Sequence, residues 1–241
     1  MKVILTESQM GLLEEGSFAS ILCESLMTES SFSKIWDKIK QALVAGVSVA
    51  VILAAINKMP LGAEEKAKLE ELVNTEVVNA DSVKAQADSL YNQKVQAVKD
   101  YMEYAAKNVK LNPEDIQLSP EEMVTACDTM NFDLPLLVAQ AHMESCFGLT
   151  KRARETNSVF SIGLYDNGKN ASTYPTQNAS IRPYIRIMQN NFLRGRSVDE
   201  MLEPGQFVNQ NNQRYASAKN YENSIKSIRN RIIRMYPVLE N

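Results

Sequence analysis

Glu144 stands near the end of a stretch with almost no other polar group. From Asp133 the chain reads Leu134, Pro135, Leu136, Leu137, Val138, Ala139, Gln140, Ala141, His142, Met143, Glu144, then Ser145-Cys146-Phe147-Gly148. Asp133 can cap a helix, Pro135 fits its first turn, and Gly148 is placed to end it in the left-handed conformation. A helix apolar nearly all round belongs in a core, which puts Glu144 in its last full turn at the core's edge. Burial disfavours the ionised carboxyl, and the negative end of the helix dipole disfavours it further. A carboxyl kept protonated near neutral pH is a general acid. Gln140, Leu137 and Ala141 share its face by the three, four and seven spacing of a helix, so small and apolar neighbours leave room for a substrate and Gln140 is a candidate contact. The competing reading is a surface glutamate beside Arg152 and Arg154.

Other chemistries find little support. His142, two residues from Glu144, points away from it on a helix. With one histidine in the chain, neither a Ser/His/Asp nor a Cys/His arrangement is credible. Cys23, Cys127 and Cys146 are odd in number, widely spaced and without a CxxC pair, so they read as free thiols rather than a disulfide framework or zinc site. Glycine-rich phosphate loops and metal-ligand clusters are absent from the sequence, and no metal or cofactor is expected.

The segment 139–148 followed by Ala153-Arg154-Glu155-Thr156-Asn157-Ser158-Val159-Phe160-Ser161-Ile162-Gly163 resembles the A-Q-A-x-x-E-S-x-x-G then A-x-x-x-N-N-x-F-G-I core of bacterial and phage N-acetylglucosaminidases. These are the autolysin and flagellar type within the lysozyme-like superfamily. Tyr174-Pro175-Thr176-Gln177-Asn178-Ala179-Ser180-Ile181 with Tyr184 resembles the family's Y-x-S-x-x-x-S-I-x-x-Y, and residues 214–225, from Arg214-Tyr215-Ala216 to Tyr221 and Ile225, resemble R-Y-A-x-x-x-x-Y-x-x-x-I. The four blocks stand in the family's order over about residues 119–236. The resemblance implies a mostly helical lysozyme-like fold in which Glu144 protonates the leaving sugar oxygen of peptidoglycan. It places Tyr215 and Tyr221 near the cleft, where a tyrosine can stack on a sugar or hydrogen-bond an acetamido group. Packed aromatics of the last helices are the other reading of both. Asn157 is a candidate substrate contact or, with Phe160, a support for the loop after the helix.

Two departures bear on mechanism. Ser158 and Ser161 stand where the family pattern has its second asparagine and its glycine. Glycosidases usually employ two carboxylates, and between Glu155 and Asp199 the sequence offers one acid, Asp166. Asp166 is therefore the candidate base, with Tyr165 beside it a candidate sugar contact. Two alternatives stand: the substrate's own N-acetyl group assists, or Asp166-Asn167-Gly168 is merely a tight turn. A structural protein that binds glycan without turning it over is the rival from another class.

The elements that must position these residues are mainly helices. Residues 1–112 read as a helical N-terminal region for anchoring, assembly or membrane action, and residues 113–241 as a lysozyme-like α domain with a reduced β-lobe. In the front half a short helical piece is expected around residues 10–13, then helical spacing at Ile35, Trp36, Ile39 and Leu43 leads into an apolar stretch over 42–56. At 15 residues, that stretch falls short of the roughly 20 needed to span a bilayer. A helix buried in a bundle or self-association interface is the first reading, and membrane contact the second. Residues 63–109 contain neither Gly nor Pro and should be helical, with 79–82 expected to divide them in two. A linker with Pro113 precedes Ser119-Pro120-Glu121-Glu122, which starts a helix with Glu122 completing a capping box.

The net charge of -3 conceals an asymmetry. Residues 151–241 hold 14 Lys+Arg against 7 Asp+Glu, or +7, which leaves 12 against 22, or -10, for residues 1–150. A basic back half suits a polyanionic bacterial wall polymer, and given the resemblance no nucleic acid is expected; a solvated surface is the ordinary alternative. The apolar run at the N-terminus ends after Val3-Ile4-Leu5, too short for a secretory signal. Residues 2–9 resemble the start of many tailed-phage virion proteins, which implies a virion enzyme, with other virion proteins as partners, or otherwise a cell-envelope location.

Overall fold

The computed structural model describes residues 32–44, 47–163 and 172–240. The helical piece expected at 10–13, Cys23, the phage-like start, Tyr165 and Asp166 all lie outside them. The regular structure of the described residues is helical, with one isolated antiparallel bridge, Val208 to Arg214, and no strand among them. The fold is mainly α, as the sequence implied. It divides into two compact units, Met1–Gln86 and Ala87–Asn241.

In the first unit, α1 (Phe32–Val44) and α2 (Val49–Lys58) are separate helices. The apolar stretch is thus not one helix: Ser48 adopts extended backbone and caps α2 by accepting from the Val51 amide at 3.4 Å. Ile35, Ile39 and Ala42 from α1 and Ile52, Ala55 and Ile56 from α2 close a small core with Met59, Leu69 and Val73. Much of the apolar stretch therefore sits inside protein. Among the described residues no helix is long and apolar enough to cross a membrane.

Helix α3 (Ala63–Asn108) runs without the break expected at 79–82. Asp and Ser are poor helix formers but not terminators, and with no Gly or Pro nearby the flanking Ala, Glu, Lys and Gln carry the helix through. Its part from Ala87 onward, nearly half of it, belongs to the second unit, where Val98, Tyr101, Met102 and Ala105 are buried in the main core. By packing, then, the second unit takes in residues 87–112 ahead of the Pro113 linker, which composition does not reveal.

Helix α4 (Pro120–Met130) starts where the sequence placed it, with the Ser119 hydroxyl accepting from the Glu122 amide at 3.1 Å. The reciprocal half of the expected box is different. Ser119 donates its own amide to Asn178 Oδ1 at 2.8 Å and its hydroxyl to Glu121 at 2.7 Å. A tertiary partner has taken the place of Glu122.

Helix α5 (Leu134–Ser145) is the centre of this unit, with every side chain from Leu134 to Ala141 buried. Against it pack α4 and, along its length, α9 (Tyr221–Met235), while α7 (Ile181–Ile187, continued by a π-helical turn Met188–Leu193) packs on α4. The short α6 (Lys151–Thr156) follows α5, and α8 (Val198–Met201) precedes a turn over 207–215. Asp133 fixes the start of α5 twice over. Oδ1 accepts from the Leu136 amide at 2.6 Å, and Oδ2 pairs with Arg229 of α9 at 2.7 Å. Asp133→Ala removes a cap and one member of a mostly buried pair, so it is expected to cost about 2 kcal/mol, measured as a lower urea midpoint with unchanged m-value.

Candidate active site

Glu144 lies one residue from the end of α5. The helix stops two residues earlier than its glycine suggested: Cys146 (φ 49°), Phe147 (φ 60°) and Gly148 (φ 85°) are all left-handed. The Cys146 and Phe147 amides donate to the carbonyls of His142 and Ala141, each at 2.9 Å. Orphan carbonyls of the last turn are satisfied in this way. Gly148 serves a different purpose, since a Cβ there would overlap the side chain of Gln177. Gln177 donates to the Gly148 carbonyl at 3.1 Å, and the Ser145 hydroxyl accepts from the Gly148 amide at 2.8 Å. A rigid turn thus holds the acid-bearing end of α5.

The carboxyl of Glu144 is half-buried and lines a cleft of about 100 Å3 with Thr150, Arg152, Thr156, Ser158 and Ser161. Burial pushes its pKa above the ordinary glutamate value, while hydrogen bonds from the Tyr221 and Ser161 hydroxyls pull the other way and lose. The Tyr221 hydroxyl donates to Glu144 Oε1 and also lies 3.2 Å from Gln140 Oε1. Burial raises the Tyr221 phenol well above its usual range, and the charges of neighbouring groups add to this, so it remains a donor. Gln140, Glu144 and Tyr221 therefore form one connected group, with Gln140 completely buried behind the acid.

Tyr215 joins that group from the turn before α9. Its ring stacks on Phe207 at 4.7 Å between centroids, lies 5.6 Å from Tyr221, and its hydroxyl donates to the Phe160 carbonyl at 3.2 Å. Asn157, left-handed at the end of α6, donates its amide to the carbonyls of Tyr174 at 2.9 Å and Pro175 at 3.2 Å. It fastens the chain on both sides of the segment that contains Tyr165 and Asp166. Phe160 is buried against Tyr184, ring on ring at 4.2 Å. His142 faces away from Glu144, its Nδ1 2.9 Å from the Tyr101 hydroxyl.

Ser161 is the contact that composition and pattern did not announce. Its sequence signal was a departure from the family pattern, without any indication of direction. Ser145 matches a letter of the family pattern and Gln177 falls where that pattern leaves the residue free, and the work of both on the turn becomes legible only in three dimensions. Among the described residues no group of His, Cys, Asp and Glu could hold a metal ion.

A half-buried carboxyl whose pKa is raised by burial, beside a cleft and steadied by phenol and hydroxyl donors, suits proton delivery to a leaving oxygen. Comparison with protein families agrees in kind: the family model Glucosaminidase, described as mannosyl-glycoprotein endo-beta-N-acetylglucosaminidase, matches residues 120–234. Comparison with curated proteins gave no match. Residues 120–234 are a domain of the glucosaminidase family, and through it the chain carries a glycoside hydrolase that acts on the glycan of peptidoglycan.

Proposed function

We propose that Glu144 is the general acid for cleavage of the β-1,4 glycan backbone of peptidoglycan, in the manner of an N-acetylglucosaminidase. The observation that carries this reading is the Glu144 carboxyl itself, half-buried at the cleft with its pKa raised by burial and its oxygen held by Tyr221. The acid protonates the glycosidic oxygen as the bond to the anomeric carbon breaks, and Tyr221 stabilises the carboxylate left behind. Attack on the anomeric carbon comes either from a water activated by Asp166 or from the carbonyl oxygen of the substrate's acetamido group. Mass spectrometry of muropeptides released from purified wall identifies the bond: N-acetylglucosamine at the new reducing end is expected, and N-acetylmuramic acid there would overturn the bond assignment. Glycan binding without release would make the domain a structural one.

Asp166→Asn separates the two routes. A loss of ~10²-fold or more is expected of an activating base, whereas near wild-type release assigns the second role to the acetamido group.

Tyr221→Phe keeps the ring packed beside Phe207 but removes the donor to Glu144. A hydrogen bond to a charged group is worth about 1.5–3 kcal/mol, so the rate is expected to fall roughly tenfold or more. The remaining effect of burial then raises the Glu144 pKa further. Since the acid acts in its protonated form, the alkaline limb of the pH–rate profile should move to higher pH.

For the whole chain we propose a phage virion-associated enzyme that opens the wall locally at genome entry, with the N-terminal helices engaged in assembly. The support is the phage-like sequence of residues 2–9 and the acidic helical front half. Mass spectrometry of purified particles tests it, and absence of the chain from them would remove this role.

A further inference from the structure

Ser161 adopts a backbone conformation that disfavours every residue with a Cβ, and it does so at the cleft. Its φ of 52° lies in the left-handed region that glycine enters freely. The neighbouring Gly163, at φ 72°, shows that the same loop uses glycine two residues on. A side chain retained in a strained position at a functional site calls for a reason that the fold does not supply. Ser161 lines the same small cleft as Glu144, and its hydroxyl is placed to act as a donor that pulls the carboxyl's pKa down against the effect of burial.

We propose that Ser161 is a positioning residue for Glu144: from its left-handed perch in the loop after α6 it holds the carboxyl at the cleft, as Tyr221 does from α9, and donates to the carboxylate that remains after the proton has left. The inference rests on Glu144 being the proton donor. While the acid is protonated, Ser161 orients it; as the proton moves to the glycosidic oxygen, negative charge grows on the carboxyl and the hydroxyl's donation strengthens. A contact stronger in the transition state than in the ground state raises the rate as well as setting the geometry. It also sets the pH range, because a donor to the ionised form works against burial.

Among the described residues the ionisable groups facing Glu144 are few. Tyr221 comes from α9, Tyr215 from the turn before it, and Tyr184 from α7, all three phenols pushed well above their usual range by burial. Arg152 of α6 lines the cleft as a permanent cation. None of the three phenols changes charge near neutrality, and the resonance of the Glu144 carboxyl itself separates its titration from that of Asp166, the other carboxyl proposed for the reaction.

Ser161→Gly is the discriminating variant, because glycine suits the backbone and the fold should be kept or slightly stabilised. Two measurements are made on the full chain, wild type and variant: the pH–rate profile of muropeptide release, and the titration of the Glu144 side-chain carboxyl by carbon-13 NMR. Expected are a roughly tenfold lower plateau rate, an alkaline limb moved to higher pH and a carboxyl midpoint moved the same way. Superimposable profiles and midpoints from an active wild type would overturn the role of Ser161 and leave glycan cleavage standing. An inactive wild type would instead remove the proposed reaction; the NMR midpoint then still decides whether Ser161 sets the ionisation of Glu144, equal midpoints refuting it.

Discussion

Glu144→Gln is expected to slow muropeptide release by ~10²–10⁴-fold, the usual contribution of a positioned general acid, with the protein folded as before. The substitution is nearly isosteric. Its amide oxygen can still accept from Tyr221, so α5 and α9 keep their connection while the transferable proton is gone. Stability supplies the internal control. A carboxyl whose pKa is raised in the folded protein binds its proton more tightly there than in the unfolded chain. Its favourable contribution is present below the unfolded pKa and is lost as pH rises through the interval up to the folded value. At neutral pH the glutamine variant should therefore unfold at a denaturant concentration no lower than wild type. Loss of activity with an unchanged or higher midpoint isolates the chemistry, whereas equal lytic activity in the two proteins would end the assignment of Glu144 as the acid.

The acid was legible because its surroundings are written locally. An apolar helix of one chain segment, a capping aspartate at its start and a glycine just past its end suffice to place Glu144 at a core edge. What finally steadies it comes from far along the chain: Tyr221 and Ser161 reach it from α9 and from the loop after α6. Periodicity cannot see such partners, because it reports which face of an element is buried and not what meets it. The same limit explains Gln177 and Gly148, whose close approach fixes the turn behind the acid.

Boundaries failed for a related reason. The end of α5 at Ser145 rather than beside Gly148 depends on Cys146 and Phe147 accepting left-handed backbone. That conformation is disfavoured locally and is held by amide hydrogen bonds to the preceding turn together with burial of the Phe147 ring. The uninterrupted α3 is the opposite case: locally weak residues at 79–82 are overruled by strong helix formers on either side. Cooperative propagation makes a helix costly to start and easy to continue.

Arg214→Ala is expected to cost about 3 kcal/mol of folding stability, the low end for breaking a buried ion pair. Glu222, in the first turn of α9, is 2% exposed, and Arg214 Nη2 contacts its two carboxylate oxygens at 2.8 and 2.7 Å. Removing the guanidinium leaves a carboxylate inside the protein with its partner gone. The Arg214 side chain is 34% exposed, so water entering from its side softens the penalty. Function should fall with stability, because the two partners flank the site aromatics: Tyr215 follows Arg214 and Tyr221 precedes Glu222 along the chain. Urea unfolding at neutral pH measures the first effect and muropeptide release the second. Arg214→Lys should recover only part of either, since an ammonium offers a point charge where the guanidinium presents a fork. Adding Glu222→Gln to Arg214→Ala should return some of the lost stability, for the double variant no longer buries an unpaired charge. A double variant as unstable as the two single losses added together would mean that the pair contributes through packing alone, and that the tyrosines owe their placement to the turn over 207–215 rather than to this bridge.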